Sequence, residues 1–179
     1  FYTRPEEILE VAVKGMMNVL DGCLAAKTRE LFLASSSEVY QNPPQVPTDE
    51  SAPLSIPDVL NPRYSYGGGK IISELLALNY GRRHFERVVV FRPHNVYGPD
   101  MGREHVLPQF SLRLWELFRK HPAGTPDFRV VPGPLQKGSP PRRCPETGKI
   151  RVLGFRPAIS LPQGVGETAR WYAQASKAS

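Results

Sequence analysis

The chain has 179 residues, 40% hydrophobic and 22% charged, enough for a domain with a core and unlike a disordered or collagen-like composition. No stretch reaches the roughly 18 uninterrupted apolar residues that a membrane span needs. The net charge of +6 is unevenly spread, because residues 1–110 hold 11 basic against 13 acidic side chains and residues 111–179 hold 12 against 4. A basic tail of this kind faces nucleic acid, an anionic small molecule such as a diphosphate, or water. No zinc-finger or RNA-recognition consensus accompanies it, so nucleic acid is not the expected partner. Cys23 and Cys144 form no Cys-x-x-Cys pair, which argues against a metal site or disulfide scaffold and fits a reducing compartment. The opening Phe1-Tyr2-Thr3-Arg4-Pro5-Glu6 lacks the apolar core of a signal peptide. A cytoplasmic protein is the expectation.

In chain order, Thr3 and Glu6 have the spacing of a capping box, with Pro5 suited to a first helical turn. Ile8, Leu9, Val11, Ala12, Met16, Val19, Leu20 and Cys23 recur at helical spacing, predicting an amphipathic helix over 5–26. Glu30–Ser35 reads as a short strand covered on both faces. Residues 41–62 contain six prolines and no helical period; a long ordered excursion of this kind is usually functional. A helical pattern resumes at Tyr64 and stops at Gly81-Arg82-Arg83, and Arg87–Phe91 reads as a second strand. Strand, loop, helix, strand is the βαβ pattern of a parallel α/β sheet. His105–Lys120 is predicted helical with Pro108 in its first turn. Nine prolines within 121–162 predict irregular backbone there, apart from a short helix or turn near Lys149–Leu153. Ser160 opens a last helix through Trp171.

Three stretches carry chemistry. In Tyr66-Gly67-Gly68-Gly69-Lys70 the phenol and the ammonium fall one helical turn apart on one face. A neighbouring ammonium favours a phenolate and lowers a tyrosine's pKa from about 10, making a usable general base. Tyr-x-x-x-Lys alone arises by chance in about one chain of this length in three or four. The three glycines raise its weight, since each costs a helix about 1 kcal/mol relative to Ala and implies a close backbone approach. Ala34-Ser35-Ser36-Ser37-Glu38-Val39-Tyr40 follows the first strand. Ligands of open parallel sheets sit outside the carboxyl ends of strands, although serines also simply terminate strands. Arg92-Pro93-His94-Asn95-Val96-Tyr97-Gly98-Pro99 follows the second strand at the same sheet edge.

Together these three motifs, in this order and on these elements, resemble the extended short-chain dehydrogenase/reductase family. They are similar in particular to its NAD-dependent nucleotide-sugar epimerases, dehydratases and UDP-glucuronate decarboxylases, oxidoreductases that work as isomerases or lyases. The tail from Arg142-Arg143-Cys144-Pro145-Glu146 to Trp171-Tyr172 is similar to the way such enzymes close their substrate domain. The resemblance implies an α/β fold, with a partial Rossmann-like parallel sheet and helices plus a small Pro-rich C-terminal substrate-domain remnant. Residues 1–104 would be the catalytic part of the NAD-binding domain and 105–179 part of the substrate-binding region.

The same resemblance assigns roles. Tyr66 would take the proton of the sugar C4 hydroxyl as NAD accepts hydride from that carbon, and Lys70 would hold the nicotinamide ribose. Ser36 would hydrogen-bond the reacting oxygen, with Ser37 beside it and Ser35 next to the cofactor. Pro93 and His94 would approach the nicotinamide through backbone, and Asn95 would contact the nucleotide-sugar diphosphate. His105 and Lys137 would line the nucleotide. Glu38 stands where dehydratases and decarboxylases of the family carry an acid, which points to oxidation at C4 followed by a further step. A non-catalytic nucleotide-sugar or protein-binding relative of the same fold is the alternative. Relatives pair through the Tyr-Lys helix, so Ile71, Leu75 and Leu78 would serve a homodimer or else pack on the chain's own sheet.

Two family features have no counterpart. No Gly-x-x-Gly-x-x-Gly turn is present to bind the NAD pyrophosphate, and an Arg-bearing strand between Phe110 and Pro132 is missing. The chain therefore reads as a catalytic middle joined to a C-terminal end, and is expected to bind NAD weakly or not at all.

Overall fold

A computed structural model describes residues 3–121, 124, 127–134, 137–140 and 142–176. The chain divides into two compact units, one of Phe1–His94 with Leu135–Lys149 and one of Asn95–Pro134 with Ile150–Ser179.

The first unit opens with helices α1 (Pro5–Glu10) and α2 (Met16–Ala25), joined by one π-helical turn at Val11–Gly15. The uninterrupted helix expected over 5–26 is thus broken once. The turn widens beside the third helix, where the Ser73 hydroxyl donates to the Ala12 carbonyl at 3.1 Å, an inserted side chain of the kind that produces such bulges. The capping box at Thr3 and Glu6 does not form. Arg4 is the N-cap without a side-chain cap, and its guanidinium pairs with Glu7 at 2.8 Å instead. Pro5 occupies the first turn as expected.

Strands β1 (Glu30–Ala34) and β2 (Arg87–Phe91) pair in parallel, Leu31 opposite Val88 and Leu33 opposite Val90. Helix α3 (Ser65–His84) connects them, completing the βαβ unit read from the sequence. Leu31, Met16, Leu20 and Ala77 form the core between sheet and helices, with Leu33, Leu76 and Val88 against it. Coverage of β1 on both faces is not observed. Phe32 is 58% and Phe91 47% exposed, because their side chains stand on the face opposite the helices, where Arg87 pairs with Glu30 and lies over the Phe32 ring.

Residues 41–62 run as an excursion, ending in a 3-10 turn at Pro62–Tyr64. It has a small core of its own, with Val39, Tyr40 and Ala52 buried and Leu54 and Ile71 against them. Ile71 therefore packs inside the unit. Leu75 and Leu78 do not pack on the sheet; they are 57% and 43% exposed, on the outer face of α3. The segment around Cys144 returns beside Thr48, whose amide donates to the Cys144 carbonyl at 2.8 Å.

In the second unit α4 (Val106–Lys120) packs on α6 (Leu161–Ala175). His105 is the N-cap of α4, with Pro108 buried in its first turn. Ser160 caps α6, its hydroxyl accepting from the Gln163 amide at 3.4 Å. The helix runs four residues beyond the expected Trp171, because Thr168 and Tyr172 are buried and the Tyr172 hydroxyl donates to the Met101 carbonyl. The short helix expected near 149–153 is α5 (Gly148–Val152). Among the described residues no helix is long and apolar enough to cross a membrane.

Candidate active site

Parallel pairing continues past the strand ends. The Ser35 amide donates to the Phe91 carbonyl at 2.9 Å and the Ser37 amide to the Pro93 carbonyl at 3.0 Å. The sheet thereby places both motif loops at one carboxyl edge. Ser36 is extended and caps a 3-10 turn over Ser37–Val39, its hydroxyl accepting from the Glu38 amide at 3.2 Å. Ser37 and Glu38 are buried in that turn. The buried Ser35 hydroxyl lies near the Glu74 carboxylate without closing a hydrogen bond of normal geometry.

Helix α3 brings Tyr66 and Lys70 to one face. The Lys70 ammonium stands 5.8 Å from the centre of the Tyr66 ring and donates to the Ala34 carbonyl at 2.9 Å, which ties the cation to the last residue of β1. Both side chains line a cavity of about 500 Å³ whose other walls include Ile8, Met16, Leu33 and Ser73. Ser36, Ser37 and Glu38 lie outside that lining.

The close approach implied by the three glycines is present at each. A methyl at Gly67 would fall 3.0 Å from the Glu38 carbonyl oxygen, one at Gly68 3.1 Å from Ile56 and one at Gly69 2.6 Å from Ala12.

Glu38 is the hub of an ion-pair cluster. Arg63 donates to both carboxylate oxygens at 3.0 and 3.3 Å, and Arg143 pairs with the same group. Beneath it, Arg92 grips the Glu74 carboxylate and donates to the Tyr40 hydroxyl at 2.6 Å. Burial pushes the Glu74 carboxyl up, but hydrogen bonds and charge from Arg92 outweigh it and leave it below the ordinary carboxylate range. Arg92 is raised, first by its hydrogen bonds to Glu74. His94 lies at the wall of a second cavity, about 220 Å³, with Tyr40, Thr48 and Glu146. Burial pushes its pKa down and the charge of Arg143 adds to this, against a weaker upward pull from the Arg92 carbonyl.

The serines, Glu38, Tyr66, Lys70, Pro93 and His94 are therefore gathered in one unit. Lys137 belongs to it too, its carbonyl accepting from Asn61 at 3.4 Å. Asn95 and His105 are exposed residues of the second unit. Sequence reasoning missed Arg63, Glu74 and Gln41. For Glu74 a signal existed: a carboxylate within the apolar run Ile71-Ile72-Ser73-Glu74-Leu75-Leu76 needs a buried cationic partner.

A model of the NAD dependent epimerase/dehydratase family matches residues 2–121. The chain belongs to that family. It is 32% identical to a dTDP-glucose 4,6-dehydratase of Streptomyces antibioticus over 117 residues, 65% of this chain and 33% of that protein. It is 34% identical to the dTDP-glucose 4,6-dehydratase of Streptomyces niveus over 77% of this chain and 55% of that protein. The chain thus spans between about a third and about half the length of these curated relatives. Among solved structures it resembles a Thermotoga maritima UDP-glucose 4-epimerase bound to UDP-glucose, with a TM-score of 0.82 and 18% identity over 96% of this chain and 72% of that one. It also resembles a Streptomyces venezuelae dTDP-glucose 4,6-dehydratase holding NAD, with a TM-score of 0.76 and 22% identity over 94% and 67%. At these identities the likeness shows the fold, which is that of the Rossmann-type epimerases and dehydratases.

Proposed function

We propose that this chain carries the catalytic part of an NAD-dependent nucleotide-sugar dehydratase or epimerase, with Tyr66 as the base that takes the proton of the sugar C4 hydroxyl. The observation that carries the reading is the Tyr66–Lys70 pair, on one helix face and tied to the end of β1 through Ala34. The two side chains share one cavity wall, where a general base would meet its substrate. Ser36 and Ser37, at the same sheet edge, supply hydroxyls for the reacting oxygen. Bound NAD would accept hydride from the carbon that carries it.

The described residues fit one end of that cofactor. The Tyr66 phenol and Lys70 ammonium at a cavity wall suit the nicotinamide ribose, whereas the sequence holds no glycine turn for the pyrophosphate. Pro93, His94 and Ser35, which follow the strand ends, are proposed for the nicotinamide side of the cofactor. Asn95 is proposed for the sugar-nucleotide diphosphate, His105 and Lys137 for the nucleotide, and the exposed Leu75 and Leu78 of α3 for a homodimer contact.

One observation favours a second reading, a non-catalytic relative that binds a nucleotide sugar or a protein. Glu38, the proposed acid, is clasped by two guanidinium groups, so its carboxylate is engaged in ion pairs within the fold. Turnover decides between the readings. With NAD and a panel of dTDP-, UDP- and GDP-sugars, the first expects either a dehydrated keto-sugar in mass spectra or an isobaric epimer separated by chromatography, and Tyr66→Phe abolishes it with sugar-nucleotide binding retained. Product formation unchanged in Tyr66→Phe removes the base assignment.

A further inference from the structure

Gln41 has an unusual conformation for its residue type. Its φ is +51°, in the left-handed region that side chains other than Gly, Asn and Asp seldom enter, yet the residue is only 3% exposed. Its side chain folds back so that the amide nitrogen donates to the Glu38 carbonyl, inside the turn that Ser36 caps. The other side of that amide faces α3. A methyl placed on Gly67 would fall 2.6 Å from the Gln41 amide nitrogen, so the amide occupies the space a side chain at 67 would take. One side chain is thus bonded to the serine-bearing turn and packed on the helix backbone immediately after Tyr66.

We propose that Gln41 is a positioning residue, a spacer whose amide sets the separation between the Ser36–Ser37 turn and Tyr66. This rests on the reading of Tyr66 as the base. The unfavourable backbone angle at 41 is the cost of aiming a donor into the gap, and Gly67 is the complementary vacancy. Two functions are combined that different substitutions separate. Gln41→Met keeps the bulk and the backbone angle but cannot donate to the Glu38 carbonyl. Gln41→Gly relaxes the angle and empties the gap. Gly67→Ala forces the amide out, and the double variant Q41G/G67A refills the gap from the helix side.

The test follows the Tyr66 resonance in 13Cζ-tyrosine NMR spectra, assigned with Tyr66→Phe, alongside thermal unfolding of each variant. Gly67→Ala is expected to shift that resonance and lower the melting temperature, and Q41G/G67A to bring both back toward wild type. Gln41→Met is expected to unfold near the wild-type temperature with the Tyr66 resonance still displaced, the signature that plain space-filling does not produce. Where turnover is measurable, kcat of Gln41→Met falls about tenfold with KM unchanged. Additive effects in the double variant, or a Gln41→Met spectrum identical to wild type, overturn the proposal. If Gln41→Met does not fold, the Gly67→Ala cycle still decides. Product formation unchanged in Tyr66→Phe defeats the Tyr66 reading, and the NMR cycle remains readable without it.

Discussion

Arg92, just past the end of β2, holds Glu74 of α3 in a two-point clasp, its Nε and Nη2 at 2.8 and 2.6 Å from the two carboxylate oxygens. Glu74 is 2% exposed, so the pair locks the helix that carries Tyr66 and Lys70 to the strand that leads into Pro93. Breaking one side of a buried pair leaves an uncompensated charge and costs about 3–5 kcal/mol. Glu74→Leu is expected to lose stability on that scale in urea unfolding, while E74L/R92M recovers much of it. Equal losses in the single and double variants would refute a coupled pair.

His94 makes stability depend on pH. Its pKa in the folded state lies below the ordinary 6.5, so the unfolded chain takes the proton first as pH falls. The stability it contributes is complete above pH 6.5 and is lost as pH drops from there through the folded-state value. His94→Asn is expected to flatten the stability curve across that interval, measured as melting temperature against pH, and an unchanged slope would count against a buried neutral imidazole.

Glu74 adds a second, more acidic dependence of the same sign. Its carboxyl is held below the ordinary 4.5, so its contribution persists above that pH and disappears as pH falls through the folded-state value. Wild type should lose stability below about pH 4.5 more steeply than Glu74→Gln.

At Gly69 two opposing effects have comparable size. Replacement by Ala gains about 1 kcal/mol of helix propensity but sets a methyl 2.6 Å from the Ala12 Cβ, and overpacking of this kind costs about 1–3 kcal/mol. The contact is with the π-helical turn itself, where the short Ala12 side chain cannot yield by rotating. Gly69→Ala is therefore expected to lower the melting temperature, with recovery in A12G/G69A. A stabilised single variant would show that the π-helical turn and α3 separate without cost.

For the cofactor, the expected result is weak binding. On the proposed reading Lys70 and Tyr66 would address the ribose end alone, and no glycine turn for the pyrophosphate is present in the sequence. Calorimetric titration of this chain should detect no micromolar NAD affinity. Finding it would reveal a phosphate site built from other residues.

Much of the fold was legible because it is written in local periodicity. The positions of β1 and β2, the Ser160 cap and Pro108 in a first turn each depend on a few neighbouring residues. The glycines of 67–69 announced a close approach without naming its partners. The site was legible only as motifs: Tyr66 and Lys70 meet because a helix must bring them together, whereas nothing near Glu38 foretells Arg63 and Arg143, 25 and 105 positions away.

By itself, then, the sequence determined the βαβ order, the residues at the strand ends and the shared face of Tyr66 and Lys70, since each follows from backbone periods of two or 3.6 residues. Tertiary structure alone decided that Glu38 is clasped rather than free, that Arg92 seeks Glu74, that Phe32 faces outward and that Gln41 enters the left-handed region. Charge pairing and burial are set by residues distant along the chain, and they become specific only when packing brings those residues within a few ångströms.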